Sequence, residues 1–301
     1  MEKRAPLEYL CFVTNAGYAT GAVCLAQSLA LVGSRATLRA IATSADAAAA
    51  LREEVAACAA PPPVAVELRE LALPEPLAAH GGSTHSGKGA VLSVDAPRRC
   101  LWGDGKAFML LDADLLAVTN PDPHLEPLLE LAQGGAEPPA VFAVANFRLK
   151  KKAFCEAGLG GNFNAGVMVV PRPDARDGAA LEELVRGAGP DDTEEVLLNR
   201  LFAGRWAPLP HGLNVPKRVL HHAPMLWNNL LDSQELVFAH LMGAKPWMSD
   251  PKARAAADWE AERPAYAALE ATWWAVRRGE VVSSERDGAL NILAALPSGS
   301  E

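Results

Sequence analysis

The chain has no CxxC pair. Its five cysteines, Cys11, Cys24, Cys58, Cys100 and Cys155, are scattered and odd in number. Such a set excludes a disulfide framework and a cysteine-rich zinc site, and reads as reduced thiols. No apolar stretch reaches the roughly 18 residues that a membrane-crossing helix needs. The opening segment, MEKRAPLEYLCFVTNAGYATG, does not read as a secretory signal, because its apolar run ends in a polar turn within a few residues. Excess positive charge is also missing. A formal charge of −8 and a pI near 5.5 argue against non-specific nucleic-acid binding. An anionic ligand would therefore need local cations or a metal. Neither an internal repeat nor a Ser/His/Asp or Cys/His hydrolytic set is visible.

What is present is an ordinary globular balance, 50% hydrophobic and 21% charged over 301 residues. That length buries a substantial core, as one large α/β domain or two small ones. YLCFVT (Tyr9–Thr14) reads as a buried strand that turns through NAGY into the apolar-periodic helix ATGAVCLAQSLALVG, with Gly33 as a stop. ATLRAIAT is a second strand, ADAAAALREEVAACAA a second helix, and APPPVAVELREL a breaker followed by a third strand. This alternation predicts a parallel sheet covered on both faces. AVFAVANF and FNAGVMVVPRP read as further strands, and DARDGAALEELVRGAG and DTEEVLLNRLFAG as helices. From His211 onward the Pro-, His- and Asn-rich segments read as irregular, around LVFAHLMGAKPW. Trp259, Tyr266 and Trp273 fall near one face of a carboxy-terminal helix, a stripe that suits packing on the main domain.

GGSTHSGKG resembles a phosphate loop, with Gly82, Gly87 and Lys88 in place. Gly89 stands where a Ser or Thr must ligand Mg²⁺, and LPEPLAAH is no hydrophobic strand, so it reads as a flexible loop. Lys150–Lys152 reads as a solvated face, and His221–His222 as a surface or structural pair. His80, His85 and His124 have no metal-like spacing.

FMLLDADLLAV (Phe108–Val118) is more telling. It places Asp112 and Asp114 inside an apolar run, where unpaired carboxylates cost roughly several kcal/mol. They must end a strand, meet cations or hold a metal. In open α/β sheets ligands bind beyond the carboxyl ends of the strands, so Thr14–Asn15 and Asp112–Asp114 can share a site. Two chemistries use such a pair: a phosphohydrolase with a nucleophilic Asp112 and acid/base Asp114, or a nucleotide-sugar transferase whose aspartates hold a cation against a diphosphate. Oxygen donors and phosphates suit Mg²⁺ or Mn²⁺.

TNAGYATGA, LLDADLL, GGNFNAGVMV, DDTEEVLLN and HLMGAKPW occur in that order. Together, over roughly Tyr9 to Trp247, they resemble the glycogenin-like family of retaining glycosyltransferases, family 8 of the sugar-transferase classification. The resemblance implies a single Rossmann-like nucleotide-sugar-binding α/β domain of GT-A type, with a mixed, mainly parallel sheet. That domain is expected over residues 1–251, with a helical extension packed on it over 252–301. The implied activity is transfer of a hexose from a UDP-sugar to an acceptor hydroxyl, on a carbohydrate or another molecule, with retention and a Mn²⁺ (or Mg²⁺) cofactor. A non-catalytic UDP-sugar-binding protein of the same fold is the alternative. The expected location is the cytoplasm, or else the chain is the soluble catalytic part of a Golgi-type protein.

Carried over residue by residue, Thr14, Asn15 and Tyr18 would hold the uridine, with Tyr18 stacked on the base. Asp112, Asp114 and His240 would ligand the metal, and Ala113 would pass its backbone near the ribose. Asn164 and Ala165 would contact the donor sugar, Asp191 a sugar hydroxyl, and Gly243 and Lys245 the diphosphate. Arg98 occupies roughly the place of a family lysine that binds phosphate and sugar. Lys245 would also stabilise the departing UDP.

The chain departs from the family in three places. Glu194–Glu195 stands where Asp-Gln is common, so Glu195 is expected to act as a nucleophile or as an electrostatic stabiliser of the anomeric centre. The Gly243–Lys245 spacing is one residue shorter, which predicts a tighter path to the phosphate. Arg98 keeps a charge but changes its geometry. The stretch from Arg205 to His240 contains no tyrosine, so self-priming of the glycogenin kind is not expected.

Overall fold

The first strand shows how the molecule is layered. In β1 (Glu8–Val13), Tyr9, Cys11 and Val13 enter one apolar core and Leu10 and Phe12 another. Successive strand side chains point to opposite faces, so a strand apolar on both is one covered on both. The computed structural model describes residues 7–60, 62–68, 102, 106–131, 138–146, 161–189, 192–249, 252–254, 258 and 263–281. The Gly82–Gly89 loop, Arg98, Lys150–Lys152, Asp191 and Trp259 lie outside them, as do His80 and His85.

The expected alternation is there. Helix α1 (Ala16–Leu31) starts at Asn15, whose side chain accepts from Tyr18 N. It leads to β2 (Thr37–Ala42), then α2 (Ala45–Ala56), capped by Ser44, then β3 (Val64–Leu68). Each cap satisfies an amide that the first helical turn leaves without a partner. β4 (Phe108–Leu111), β6 (Val141–Ala145), β7 (Phe163–Val170) and β8 (Trp206–Leu209) complete a seven-stranded sheet in the order β3-β2-β1-β4-β7-β6-β8. Pairing is parallel except at β4/β7 and β6/β7. The sheet is thus mixed and mainly parallel, as expected.

α1 and the carboxy-terminal helix α8 (Pro264–Arg277) cover one face, with Leu25, Leu269 and Trp273 in one core. α4 (Ala175–Arg186) and α5 (Glu194–Leu201) cover the other through Leu181, Val185, Leu197 and Leu198. Tyr266 and Trp273 are fully buried, so this part of the aromatic stripe is packing. α3 (Asp122–Glu130) follows β5 (Leu115–Ala117). No helix among the described residues is long and apolar enough to cross a membrane.

The Phe108–Val118 run is not one strand. Its apolar halves are β4 and β5, which belong to different sheets. The small second sheet has the order β5-β10-β9, with β9 at Val215–Pro216 and β10 at Phe238–His240. Asp112 and Asp114 occupy the joint between the sheets, where a carboxylate can leave the apolar layer.

The region after His211 is a correction to the irregular reading. It folds as a 3-10 turn (His211–Leu213), β9, α6 (Arg218–His222), α7 (Pro224–Asp232) and β10. Pro224 opens α7 at a position where its missing N–H has no intrahelical partner anyway, so here proline starts a helix. His221 and His222 meet edge-on at 4.8 Å. β8 also had no counterpart in the sequence reading. His124 is exposed.

One buried ion pair joins this region to the carboxy-terminal part. Lys217 Nζ lies 3.2 Å from Asp258 Oδ2, with both side chains 0% exposed. Nζ also donates to Ala244 O at 2.9 Å and sits 5.0 Å from the Tyr266 ring centre.

Candidate active site

Strand register brings the distant imidazole to the aspartates. β10 runs antiparallel to β5 with His240 opposite Leu115, and Leu241 N donates to Asp114 O at 2.9 Å. His240 Nε2 then lies 3.3 Å from Asp114 Oδ2 and 3.8 Å from Asp112 Oδ2. One ligand atom from each residue falls within 4.8 Å of the others. Ligands held at about 2.1 Å from one ion stand roughly 3.0 Å apart when adjacent and about 4.2 Å when opposite. Two carboxylates and an imidazole at these spacings fit a divalent cation of the Mg²⁺ or Mn²⁺ kind.

The buried carboxylate is paired locally. Lys245 Nζ forms a short ion pair with Asp114 Oδ2. Burial pushes the Asp114 carboxyl up, but its charged surroundings, the Lys245 ammonium foremost, more than offset this and hold it well below the usual carboxylate range. Burial lowers the Lys245 ammonium, and Asp114 outweighs it, so the net direction is upward. Asp114 is therefore an ionised acceptor, whereas Asp112 has a side chain 25% exposed on the open side.

These groups line a cleft of about 260 Å³. Thr14, Tyr18, Ala113, Asn164 and Ala165 line it too, as do Glu194, Glu195 and Gly243. Asn15 is not among the lining residues; it is the cap of α1, accepting from Tyr18 N at 3.2 Å. The Thr14 hydroxyl is buried and finds no hydrogen-bond partner among the described residues. Tyr18 meets Trp247 edge-on, with ring centres 5.5 Å apart. A larger groove of about 1180 Å³, between α1, α2 and α8, contains none of the candidate ligands.

The short loop does reach the site. Gly243 adopts φ +81°, a left-handed conformation that favours glycine, and a Cβ there would stand 2.7 Å from Asp258 Oδ2. Ala244 O accepts from Lys217, and Lys245 O accepts from Arg254 Nη1 at 2.9 Å. Arg254 in turn pairs with Glu270 of α8 at 2.8 Å. The carboxy-terminal part thus clamps the segment that carries Lys245.

Opposite the aspartates, β7 is irregular. It pairs Met168 with Ala143 and Asn164 with Val144, so extra residues of β7 lie between neighbouring residues of β6. Bulges of this kind re-aim side chains and backbone. Here Gly166 O accepts from Asp112 N at 2.9 Å, while Asn164, 5% exposed, donates to Glu195 Oε2 at 2.9 Å. Asn146 donates to Glu195 Oε1 at 2.8 Å. Burial pushes the Glu195 carboxyl above its ordinary value, and hydrogen bonds from Asn146 and the Ala165 amide hold it back. Sequence reasoning did not single out Asn146, Asn214, Gly166 or Lys217. Their only signal is a polar residue beside a short strand and, for Gly166, a glycine inside one.

Gly166 is sterically required. A Cβ on it would meet His240 Cε1 at 2.6 Å and Nδ1 at 2.8 Å. Gly166→Ala is expected to displace the ring and to weaken any divalent-cation binding at this cluster by about 10–100-fold, measured by titration calorimetry. Unchanged affinity would show that the ring does not ligate.

The chain's structure resembles that of the galactosyltransferase LgtC, solved in complex with donor and acceptor sugar analogues. Identity is 17% over 93% of this chain and 98% of that one, with a TM-score of 0.53. An active-site mutant of LgtC matches at 15% identity, over 94% and 100% of the two chains, with a TM-score of 0.52. The bifunctional glycosyltransferase WbbM, in its apo form, matches at 14% identity and a TM-score of 0.52, over 87% of this chain and 52% of that one. The fold is the GT-A glycosyltransferase fold, with a helical carboxy-terminal region. No protein-family model matches the sequence, and no curated protein matches it either.

Proposed function

We propose that the chain is a retaining, UDP-sugar-dependent hexosyltransferase of the glycogenin-like kind. The observation that carries this reading is the convergence of Asp112, Asp114 and His240 on one point of a cleft at the strand ends of this fold. These three would hold Mn²⁺ or Mg²⁺, which when bound supplies Lewis-acid neutralisation of the departing diphosphate.

The chain's own groups do the rest. Lys245, anchored through its backbone, donates to the diphosphate and stabilises charge on leaving UDP, with Gly243 giving the backbone close approach. Tyr18 offers an aromatic face to the uracil, Thr14 its buried hydroxyl, and Ala113 its backbone beside the ribose. Asn15 orients this turn through its cap. Asn164 and Ala165 contact the hexose, with Glu194 and Glu195 beside it. Asp191 and Arg98 take the sugar hydroxyl and phosphate roles that the resemblance implies. Both Glu195 oxygens already accept hydrogen bonds, which favours an electrostatic role over attack on the sugar. Retention then follows from front-face substitution, the leaving phosphate taking the acceptor's proton.

The phosphohydrolase alternative needs Asp114 as a proton donor, and the low pKa of that buried, lysine-paired group opposes it. The non-catalytic alternative differs in turnover alone. A thermal-shift screen of UDP-glucose, UDP-galactose and UDP-N-acetylglucosamine, with and without Mn²⁺, tests binding. A ligand at 100 times its Kd is expected to raise Tm by roughly 5 °C, and only with the metal. Slow Mn²⁺-dependent release of UDP separates enzyme from binder, and equal shifts without metal would refute the cation's role.

A further inference from the structure

Around the cleft, one backbone amide dictates the orientation of several side chains. The N–H of Gly166 donates to Asn164 at 2.9 Å; because a backbone N–H can only donate, it faces the Asn164 carbonyl oxygen. Asn214, 1% exposed, reaches that same oxygen at 2.7 Å and so presents its NH₂ group there. The carbonyl oxygen of Asn214 is left facing His240 Nδ1 at 2.8 Å, and that nitrogen must carry a proton. In the neutral ring Nε2 is then bare, and Nε2 is the atom turned toward Asp112 and Asp114. The far end agrees. The Asn164 NH₂ group meets Glu195 Oε2, an acceptor when ionised.

Topology explains why Asn214 is the residue in place. It immediately precedes β9, whose Val215 and Pro216 run parallel to Ala239 and His240 of β10. Its side chain therefore stands beside the imidazole on the face away from the aspartates.

We infer that Asn214 is a positioning residue that fixes the tautomer of His240, so that the Nε2 lone pair faces the cation. The direction is set by the Gly166 amide through Asn164. This rests on the reading of His240 as a metal ligand. Without the Asn214 oxygen nothing in the relay favours a proton on Nδ1, and a ring protonated at Nε2 cannot ligate through that atom. Partners of this kind on metal-bound histidines are typically worth about 10–100-fold in affinity.

Mn²⁺ affinity in the presence of UDP is measured by calorimetry for the unmutated protein, Asn214→Ala and Asn214→Asp. Alanine removes the acceptor and is expected to weaken binding by about 10–100-fold. Aspartate keeps an acceptor toward His240 while losing the donor to Asn164, and is expected to bind within a few-fold of the original. A merely structural Asn214 predicts that aspartate does as much harm as alanine. ¹⁵N NMR of histidine-labelled protein with diamagnetic Zn²⁺ reads the tautomer directly, and needs no variant. A proton on His240 Nδ1 is expected, and one on Nε2 overturns the inference. Unmutated protein that binds no Mn²⁺ would bring down the metal-site reading and this inference together. Normal binding in the unmutated protein and in Asn214→Ala alike would overturn the inference alone.

Discussion

Asp114→Asn is expected to lower kcat/KM for a UDP-hexose by about a thousandfold, while the protein stays folded. Asparagine is nearly isosteric but carries no charge, and Asp114 is where Lys245 and His240 converge. Its loss removes one anionic ligand of the proposed cation and leaves the Lys245 ammonium free to seek other acceptors. Lewis-acid stabilisation worth about 4 kcal/mol corresponds to roughly a thousandfold in rate. The check is Mn²⁺-dependent UDP release by the two proteins, with circular dichroism to show that both are folded. Asp112→Asn, at the more exposed position, should cost less. Equal losses would mean that burial does not rank the two carboxylates.

The second large effect is on stability. Asp258→Ala is expected to destabilise the fold by about 3–5 kcal/mol, because it strands the Lys217 ammonium in a fully buried position. Urea unfolding measures this. Lys217→Met combined with Asp258→Leu replaces the pair with apolar volume and is expected to recover most of the loss. Turnover should not recover in parallel, since Lys217 also holds Ala244 O, next to Lys245. A raised KM in a stable double variant is the expected signature.

The pair also sets a pH dependence. Burial lowers the Lys217 pKa, against the pull of Asp258. A lysine with a folded value below the unfolded one binds more protons when unfolded, so its contribution to stability rises with pH. The rise runs from the lowered folded value up to the ordinary one of 10.5.

The sequence made the frame legible wherever local signals agreed with the global fold. Apolar strands and helices alternated, and Asn15 and Ser44 stood just before the helices they cap. Asn15, assigned to the uridine site by resemblance, also caps α1 through its side chain. Asp112 and Asp114 stood out because carboxylates in an apolar run need an explanation. His240 was found only through the resemblance, since its place beside Asp114 comes from the β5–β10 register, which no local pattern encodes.

Asn146 and Asn214 illustrate what stays hidden. An isolated asparagine has no periodicity, and its hydrogen-bond partners are fixed by strand pairing and by the bulge in β7. The helices after His211 were missed because Pro224 reads as a breaker until its position at a helix start is known. Lys217 was not singled out in the sequence, and only its contacts with Asp258, Ala244 and Tyr266 reveal a buried clamp.

The most direct test of the shared cation is a titration of Mn²⁺ into the protein with and without UDP, repeated with His240→Ala. Metal and nucleotide that meet at one point must strengthen each other's binding by the same factor. The expected result is a single Mn²⁺ site, tightened by UDP and lost with the imidazole. Mn²⁺ binding that ignores both UDP and His240→Ala would contradict the claim that Asp112, Asp114 and His240 share a cation facing a diphosphate.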